Sequence, residues 1–465
     1  MTTTPSPSSS SPSSSPSPSS PSHLVLVETT PTAGFKIVSE ALALGHEVTF
    51  VAHSLDPYLA AEGGEEALRT PTRLLTGVPT TDPGGLLDVI GTLHRKHPVH
   101  GLLALSEGHL PATAEVAEAL GLPFESAAVM RRLRDKHAVR EHLAAAGVPQ
   151  PAFRQARTPE EAVAAAAEIG YPVVVKPADG FGSLHVGVAN DAAEVAELAG
   201  AVAGARSYGR GVAGSGVALL EAYVPGPVVS CEMVTVDGTS TPYGCVDRLL
   251  APAPHPVELG GCFPAELDDD VREAVERVVA DALDAAGIRR AHTHTEVVLG
   301  PDGPQIIEIN GRLIGGYVPT MINYVLGRNI YHDVIELALG GSPSPSPAQG
   351  VGCIRAITAP APGVLAGIDA GAARSAPGTA EVMLHARPGQ PVRPARNNFD
   401  RLGFLITTAD TAAEARKAAE DAHALVRVTV EDAADATSAV GSADATNTAG
   451  ATNVADATDA AEGAA

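Results

Sequence analysis

The chain has 465 residues, a formal net charge of −23, no tryptophan and 3% aromatic residues within a 45% hydrophobic total. That length suits two to four domains at about 100–200 residues each, with cores built on Ala, Val, Leu and Ile. The acidic balance excludes an electrostatic footprint for nucleic acid or an anionic membrane surface, and no uncharged apolar run of about 18 residues is present to span a bilayer.

Residues 1–22 contain only Met, Thr, Pro and Ser and read as a disordered Ser/Pro arm. The arm lacks the basic and apolar regions of a secretory signal. From residue 23 strand and helix signals alternate. Leu24–Val27, the helix Phe35–Leu44 stopped by Gly45, and Val48–Val51 open as a βαβ unit. Helix Leu86–Lys96, strand Gly101–Leu105 and helix Ala112–Leu120, closed by Gly121, complete an N-terminal open α/β domain over 23–130. No G-x-G-x-x-G follows its first strand, so the dinucleotide-binding fingerprint is unsupported.

A helix at Asp135–Ala146 ends at Gly147, with Pro149 just beyond. Helix Glu160–Ile169, strand Val173–Lys176, strand Leu184–Val188, helix Ala192–Ala203 and strand Val217–Leu220 follow, with Gly204–Gly216 expected as a mobile connection. Next come strand Val228–Val236, helix Val271–Ala286, strands Ala291–Leu299 and Gln305–Asn310, and helix Tyr331–Leu339. Gly341–Gly350 has linker composition. Beyond it, strands Cys353–Thr358, Phe404–Thr408 and Leu425–Val430 with helix Thr411–Ala422 suggest a small α+β domain over 351–430. Residues 431–465 hold seven acids and no base and read as a disordered acidic tail, so −16 of the −23 lies elsewhere. There is no fixed-period repeat. Cys231, Cys245, Cys262 and Cys353 form no C-x-x-C pair and are expected as reduced, separately buried thiols of a cytoplasmic protein.

Three constellations carry chemistry. In HTHTEVVLGPDGPQIIEINGR a turn centred on Asp302 sets Glu296 opposite Glu308, six residues to either side. Strand alternation then aims Glu308, Asn310 and Arg312 the same way. Carboxylates facing each other about 5 Å apart repel. Either solvent relieves them or a hard divalent cation does, and the apolar neighbours Val297, Val298, Ile306, Ile307 and Ile309 favour the cation. In YPVVVKPADGFGS an apolar strand delivers Lys176 to a loop holding Gly180, Gly182 and Ser183. Such a loop turns N–H groups toward an anion, although a lysine snorkelling from a strand end would look alike. It is no Walker A loop, for G-x-x-x-x-G-K-[ST] is absent. In ALLEAYVPGP a strand ends at Glu221, Ala222, Tyr223 and Val224 with free backbone to offer a flat heterocycle, a weak signal alone.

Taken in this order, DKHAVREHLAAAGVPQP, VVVKPADGFGS, LLEAYVPGPVVSCEM and EVVLGPDGPQIIEINGR resemble the ATP-grasp superfamily, and more closely its carboxylate–amine ligases such as the L-amino acid ligases. The resemblance covers about residues 24–430. It implies an α/β fold of ATP-grasp architecture: the N-terminal open α/β domain, a small α+β lid over 131–222, a catalytic α+β domain over 223–340, and the C-terminal α+β domain. It implies that Lys136 and Lys176 contact ATP phosphates beneath the 180–183 loop and that backbone at Glu221–Val224 holds adenine. Glu296, Glu308 and Asn310 would bind two Mg²⁺, with Mn²⁺ as a substitute, and Arg312 would steady the reacting carboxyl or phosphoryl group.

The implied activity is ATP-dependent amide formation between a small carboxylic or amino acid and an amine, in peptide-like metabolite synthesis, by a cytoplasmic enzyme of a family in which homodimers are common. Two departures stand out. Val228 replaces the family's ribose-binding Glu, and Gly261 stands where related ligases carry a His, for which His255 or His294 would have to compensate. Gly316, where some relatives place a bulky gate, implies a roomier acyl pocket. The rival readings are a biotin-carboxylase-like or purine-pathway ATP-grasp enzyme, and a non-catalytic ATP-binding regulator.

Overall fold

The computed structural model describes residues 21–31, 33–252 and 255–432. Nearly all of the Ser/Pro arm and of the acidic tail lies outside the described residues. No helix among those described is long and apolar enough to cross a membrane.

Strands β1 (His23–Val27), β2 (Glu47–Val51), β3 (Arg73–Leu75) and β4 (Gly101–Leu103) form a parallel sheet in the order β3-β2-β1-β4. Chain order reverses between β1 and β4, which opens a crevice at their C-terminal ends. Asp82 caps the helix Pro83–Lys96 by accepting from the amides of Gly84 and Gly85, and left-handed Gly121 closes the helix Leu110–Leu120.

The next sheet is antiparallel: β5 (Phe153–Ala156), β6 (Val173–Pro177), β7 (Gly187–Ala189) and β8 (Ala218–Ala222), in the order β5-β8-β6-β7. Helices Pro159–Ile169 and Ala192–Gly204 pack on it and form a core of their own, from Ala162, Ala166, Val173, Val175, Val195, Val202 and Leu220. The strand expected at Leu184–Val188 shrinks to β7 because Ser183 and His185 take φ of 58° and 55°, outside extended geometry.

Strands β9 (Val228–Val236) and β10 (Thr239–Asp247) lead to β11 (Leu249–Leu250) and β12 (Glu258–Phe263). The long hairpin of β13 (Ala291–Gly300) and β14 (Gly303–Asn310) then completes a sheet ordered β10-β9-β13-β14. Strand β10 was not legible in sequence. It carries Pro242 at a register shift, which an edge strand tolerates. The C-terminal strands are β15 (Val351–Thr358), β16 (Gly363–Asp369), β17 (Thr379–Leu384), β18 (Pro391–Val392), β19 (Arg401–Ala409) and β20 (Arg427–Glu431). Their main sheet runs β11-β12-β15-β19-β17, so β11 and β12 cross the Gly341–Gly350 connection to join it.

The cysteine expectation needs correction. Cys262 of β12 lies in register with Cys353 of β15, and the two form a disulfide. Cys231 and Cys245 also face each other, across β9 and β10, and these remain buried free thiols. Antiparallel pairing brings Cys262 and Cys353 together across 91 residues of chain, which spacing alone does not reveal.

One apolar cluster joins the N-terminal sheet to the C-terminal one, through Leu24, Phe35 and Phe50 on one side, Tyr317 and Met321 between, and Ile354 and Phe404 on the other. The helix Val318–Leu326, absent from the sequence reading, supplies its middle. Beside it His292 stacks on Tyr243, ring centroids 5.7 Å apart. Burial pulls the His292 pKa down to about 4, from an ordinary 6.5. The ring stays neutral in the folded chain and gains a proton on unfolding. No penalty therefore exists above pH 6.5, and stability is lost as pH falls toward 4, by up to about 1.4 kcal/mol per pH unit. His292→Phe is expected to flatten this acid limb, measured as urea stability from pH 7 to 4. An unchanged pH slope would refute the assignment.

Candidate active site

The residues expected to hold nucleotide, metal and reacting group all line a single cavity of about 860 Å³: Lys136, Lys176, Gly180, Gly182, Ser183, Glu221, Ala222, Tyr223, Val224, Glu296, Glu308, Asn310 and Arg312. The cavity is walled by the N-terminal sheet, the small antiparallel sheet, the β13–β14 hairpin and the loop before β19.

Glu296 and Glu308 are paired across the hairpin. The turn itself lies at 301–302, between paired Gly300 and Gly303, one residue tighter than a turn centred on Asp302. Counted from there, Glu296 would face Ile307. A bulge after Glu296 adds the missing residue and restores the carboxylate pair. Arg140 holds the bulge in place: its guanidinium donates to the carbonyls of both Ile306 (2.6 Å) and Ile307 (2.5 Å). Sequence reasoning missed Arg140, which lies inside the quoted stretch DKHAVREHLAAAGVPQP but whose partners Glu221, Ile306 and Ile307 are distant in the chain.

The same Arg140 donates to Glu221 at 2.7 Å, and Lys176 Nζ lies 2.8 Å from the other Glu221 oxygen. The Glu221 side chain therefore orients Lys176, and the residue is paired on both sides within the sheet, with Phe153 of β5 and Val174 of β6. Burial pushes the Glu221 carboxyl up, but Arg140 and Lys176 outweigh it and hold the group below its ordinary value. Burial likewise pulls Lys176 down, partly offset by Glu221. At the hinge the amides of Ala222 and Tyr223 already donate to Ala152 and Pro172 carbonyls.

Lys136 Nζ donates to the Gly180 carbonyl (2.6 Å) and lies 3.3 Å from Glu308, tying the glycine loop to the hairpin. Arg312 pairs with Glu107, in the turn beyond β4, and the Asn310 amide, in the orientation that satisfies its hydrogen bonds, donates to both Glu107 oxygens at 3.2 and 3.1 Å. Burial raises Glu107, but Arg312 and Lys136 more than cancel that and keep it ionised. Glu107 went unnoticed because 205 residues separate it from Arg312.

On the far side Arg248 bridges Glu296 and Glu258, each at 3.0 Å. Burial pushes Glu296 up, yet Arg248 and His294 hold it below the usual carboxylate range. His294, between Glu232 (2.7 Å) and Glu296 (3.5 Å), is raised against burial to about 9 and is protonated at neutral pH. Of the two compensating histidines considered, His294 lines the cavity and His255 does not. Gly261 admits no side chain at all, since a Cβ there would lie 2.0 Å from the Asp247 carbonyl oxygen. At Gly316 a Cβ would meet nothing nearer than 3.9 Å, consistent with a roomy wall.

The repulsion expected to call for solvent or a cation is relieved instead by side chains, Arg248 on Glu296 and Lys136 on Glu308. The oxygen donor types of Glu296, Glu308 and Asn310, at neighbouring positions of the hairpin, still suit a hard cation. Among the described residues no group of three His, Cys, Asp or Glu side chains forms a complete metal cage, so part of the coordination would come from substrate phosphate and water.

Comparison with known proteins decides the family. An ATP-grasp domain model matches residues 169–321, an ATP-grasp N-terminal domain model 38–124, and a model described as L-amino acid ligase C-terminal domain 2 matches 355–431. The chain belongs to the ATP-grasp superfamily and is of its carboxylate–amine ligase type. An uncharacterised protein, y4rH of Sinorhizobium fredii, is 32% identical to this ligase over 400 residues, covering 84% of it and 80% of the relative. A D-alanine–D-alanine ligase from Gloeobacter violaceus is 28% identical over 305 residues, 61% of this ligase and 84% of that one. In fold the ligase resembles a solved L-amino acid ligase from Bacillus licheniformis, with TM-score 0.75 and 23% identity over 88% of this chain and 99% of the other.

Proposed function

We propose that the cavity joins a small amino or carboxylic acid to an amine at the expense of ATP, through an acyl phosphate, releasing ADP and phosphate. The observation that carries this reading is the convergence on one cavity of Lys136, Lys176, the carboxylate pair and Arg312. ATP-grasp enzymes bind ATP with Mg²⁺. Glu296, Glu308 and Asn310 would hold that ion, which when bound offsets phosphate charge.

The chain's own residues do the rest. Lys136 and Lys176 place two ammonium groups beside the glycine loop, where phosphate oxygens gain negative charge as the substrate carboxylate attacks the γ-phosphorus. Arg312, braced by Glu107, faces the cavity where an acyl oxyanion would form as the amine displaces phosphate. No protein nucleophile is needed. The lid sheet β5–β8 keeps water from the acyl phosphate, which it would otherwise hydrolyse. Val228 at the hinge leaves ribose without a carboxylate partner, so adenine and phosphate contacts carry nucleotide binding.

Purified protein with ATP, Mg²⁺ and amino acids, singly and in pairs, is expected to release ADP only with a competent acid and to yield a product of dipeptide mass. ATP binding without ADP release from any acid would favour a non-catalytic regulator. Turnover with bicarbonate alone would favour the carboxylase-like reading.

A further inference from the structure

The segment between helix Ala192–Gly204 and β8, expected as a mobile connection, is instead the lid's tie to the N-terminal sheet. Gly209, Arg210 and Gly211 take φ of 81°, 50° and 76°, three left-handed residues in succession. A non-glycine residue is strained in that conformation and persists there only where its surroundings fix it. The surroundings are specific. Arg210 donates to the Thr29 carbonyl beyond β1 and to Ser106 Oγ (3.2 Å) beyond β4. His109 Nε2 bonds the Arg210 carbonyl at 3.1 Å, and Thr81 Oγ1 donates to the Gly211 carbonyl at 3.1 Å.

The receiving side is also built for the contact. Glu28, fully buried with φ 52°, ends β1 just before Thr29, and its carboxylate is pinned by the His53 amide (2.5 Å) and by Tyr58. On the lid side the same segment is fastened to the glycine loop. Tyr208 donates to Asp179 (3.1 Å), the Ser215 amide donates to the other Asp179 oxygen (2.8 Å), and the Tyr208 ring lies 5.5 Å from that of Phe181. The lid's main apolar core is confined to residues 156–220. Outside that core, Val212 packs beside Gly108 and Phe399 beside Gly182, and polar ties such as this one add to those contacts.

We propose that Arg210 is a positioning residue that latches the lid's glycine loop to the β1–β4 crevice. The tip 209–211 seats there when the lid is closed and withdraws when it opens. This rests on the ligase reading above. Its chemical consequence follows from the acyl phosphate. If the loop lifts early, water adds to the acyl carbon, the C–O bond to phosphate breaks, and the free acid and phosphate leave with no amide formed.

The test compares wild type, Arg210→Ala and Ser106→Ala, the last removing a single acceptor of the guanidinium. ADP and amide are both quantified, and hydrogen exchange over 205–216 is followed with a non-hydrolysable ATP analogue and Mg²⁺. Arg210→Ala is expected to lower amide kcat about 10–100-fold, raise the ADP-to-amide ratio above that of wild type, and lose exchange protection in 205–216. Ser106→Ala should shift each readout the same way to a smaller degree. Wild-type coupling and protection in Arg210→Ala would overturn the latch. Should wild type itself make no amide, the ligase reading fails, while the exchange experiment still decides the latch. Should Arg210→Ala lose its cooperative thermal transition, the Ser106→Ala ratio decides.

Discussion

Glu308→Ala is expected to lower Mg²⁺-dependent ADP formation about 10²–10³-fold or more while leaving the thermal midpoint near that of wild type. Glu308 sits at the mouth of the hairpin with its side chain 20% exposed, so its removal opens no large cavity in the core. What it removes is half of the carboxylate pair and the partner of Lys136. Lys136 retains the Gly180 carbonyl, so the glycine loop stays anchored, and the loss falls on cation binding. Glu308→Asp should recover activity only at raised Mg²⁺, because the shorter carboxylate still presents oxygen. Steady-state ADP release against Mg²⁺ concentration measures both. Full activity in Glu308→Ala would remove Glu308 from the metal site.

Glu221→Ala is expected to be the most destabilising single change in the site. Glu221 is a buried anion between two buried cations. Deleting it leaves Arg140 and Lys176 facing an apolar gap, and breaking a buried pair in this way costs about 3–5 kcal/mol. The damage should spread to the hairpin, since Arg140 also holds the Ile306 and Ile307 carbonyls that form the bulge. Glu221→Gln keeps the shape and one acceptor and should cost less. Urea unfolding measures both, and a loss under about 1 kcal/mol in Glu221→Ala would show that the cations find solvent or other partners.

The contrast between these residues explains what was legible in sequence. Glu308 could be found because its chemistry is local: alternation along a strand and a Gly-Pro turn place it opposite Glu296 within one hairpin. Lys176 and the glycine loop were legible for the same reason, as a Val run ending in a turn. The role of the Glu221 side chain was not, because Arg140, although inside the motif that holds Lys136, stands 81 residues away and spacing along the chain does not show that the two meet. Glu107, Arg248 and Asp179 escaped likewise, each meeting its partners only after sheets pack. Of the strands absent from the sequence reading, β10 and β16 carry Gly, Thr or Pro that blur the alternation, and β3, β5, β11, β12, β17 and β18 are short, so pairing rather than periodicity makes them strands. The sequence turn at Asp302 led to the correct carboxylate pair because the bulge added the residue that the shorter turn removed.

The shared sheet carries a consequence for how the chain could be divided. Strands β11 and β12 precede the Gly341–Gly350 connection, yet β12 takes its hydrogen bonds from β15 on the other side and is bound to it by Cys262–Cys353. The connection is thus a border of the covalent chain and not of the sheet. A peptide cut there would leave two halves holding each other by strand edges and a disulfide. The C-terminal segment behaves as a wall of the cavity that happens to be made last, and it is no detachable appendage.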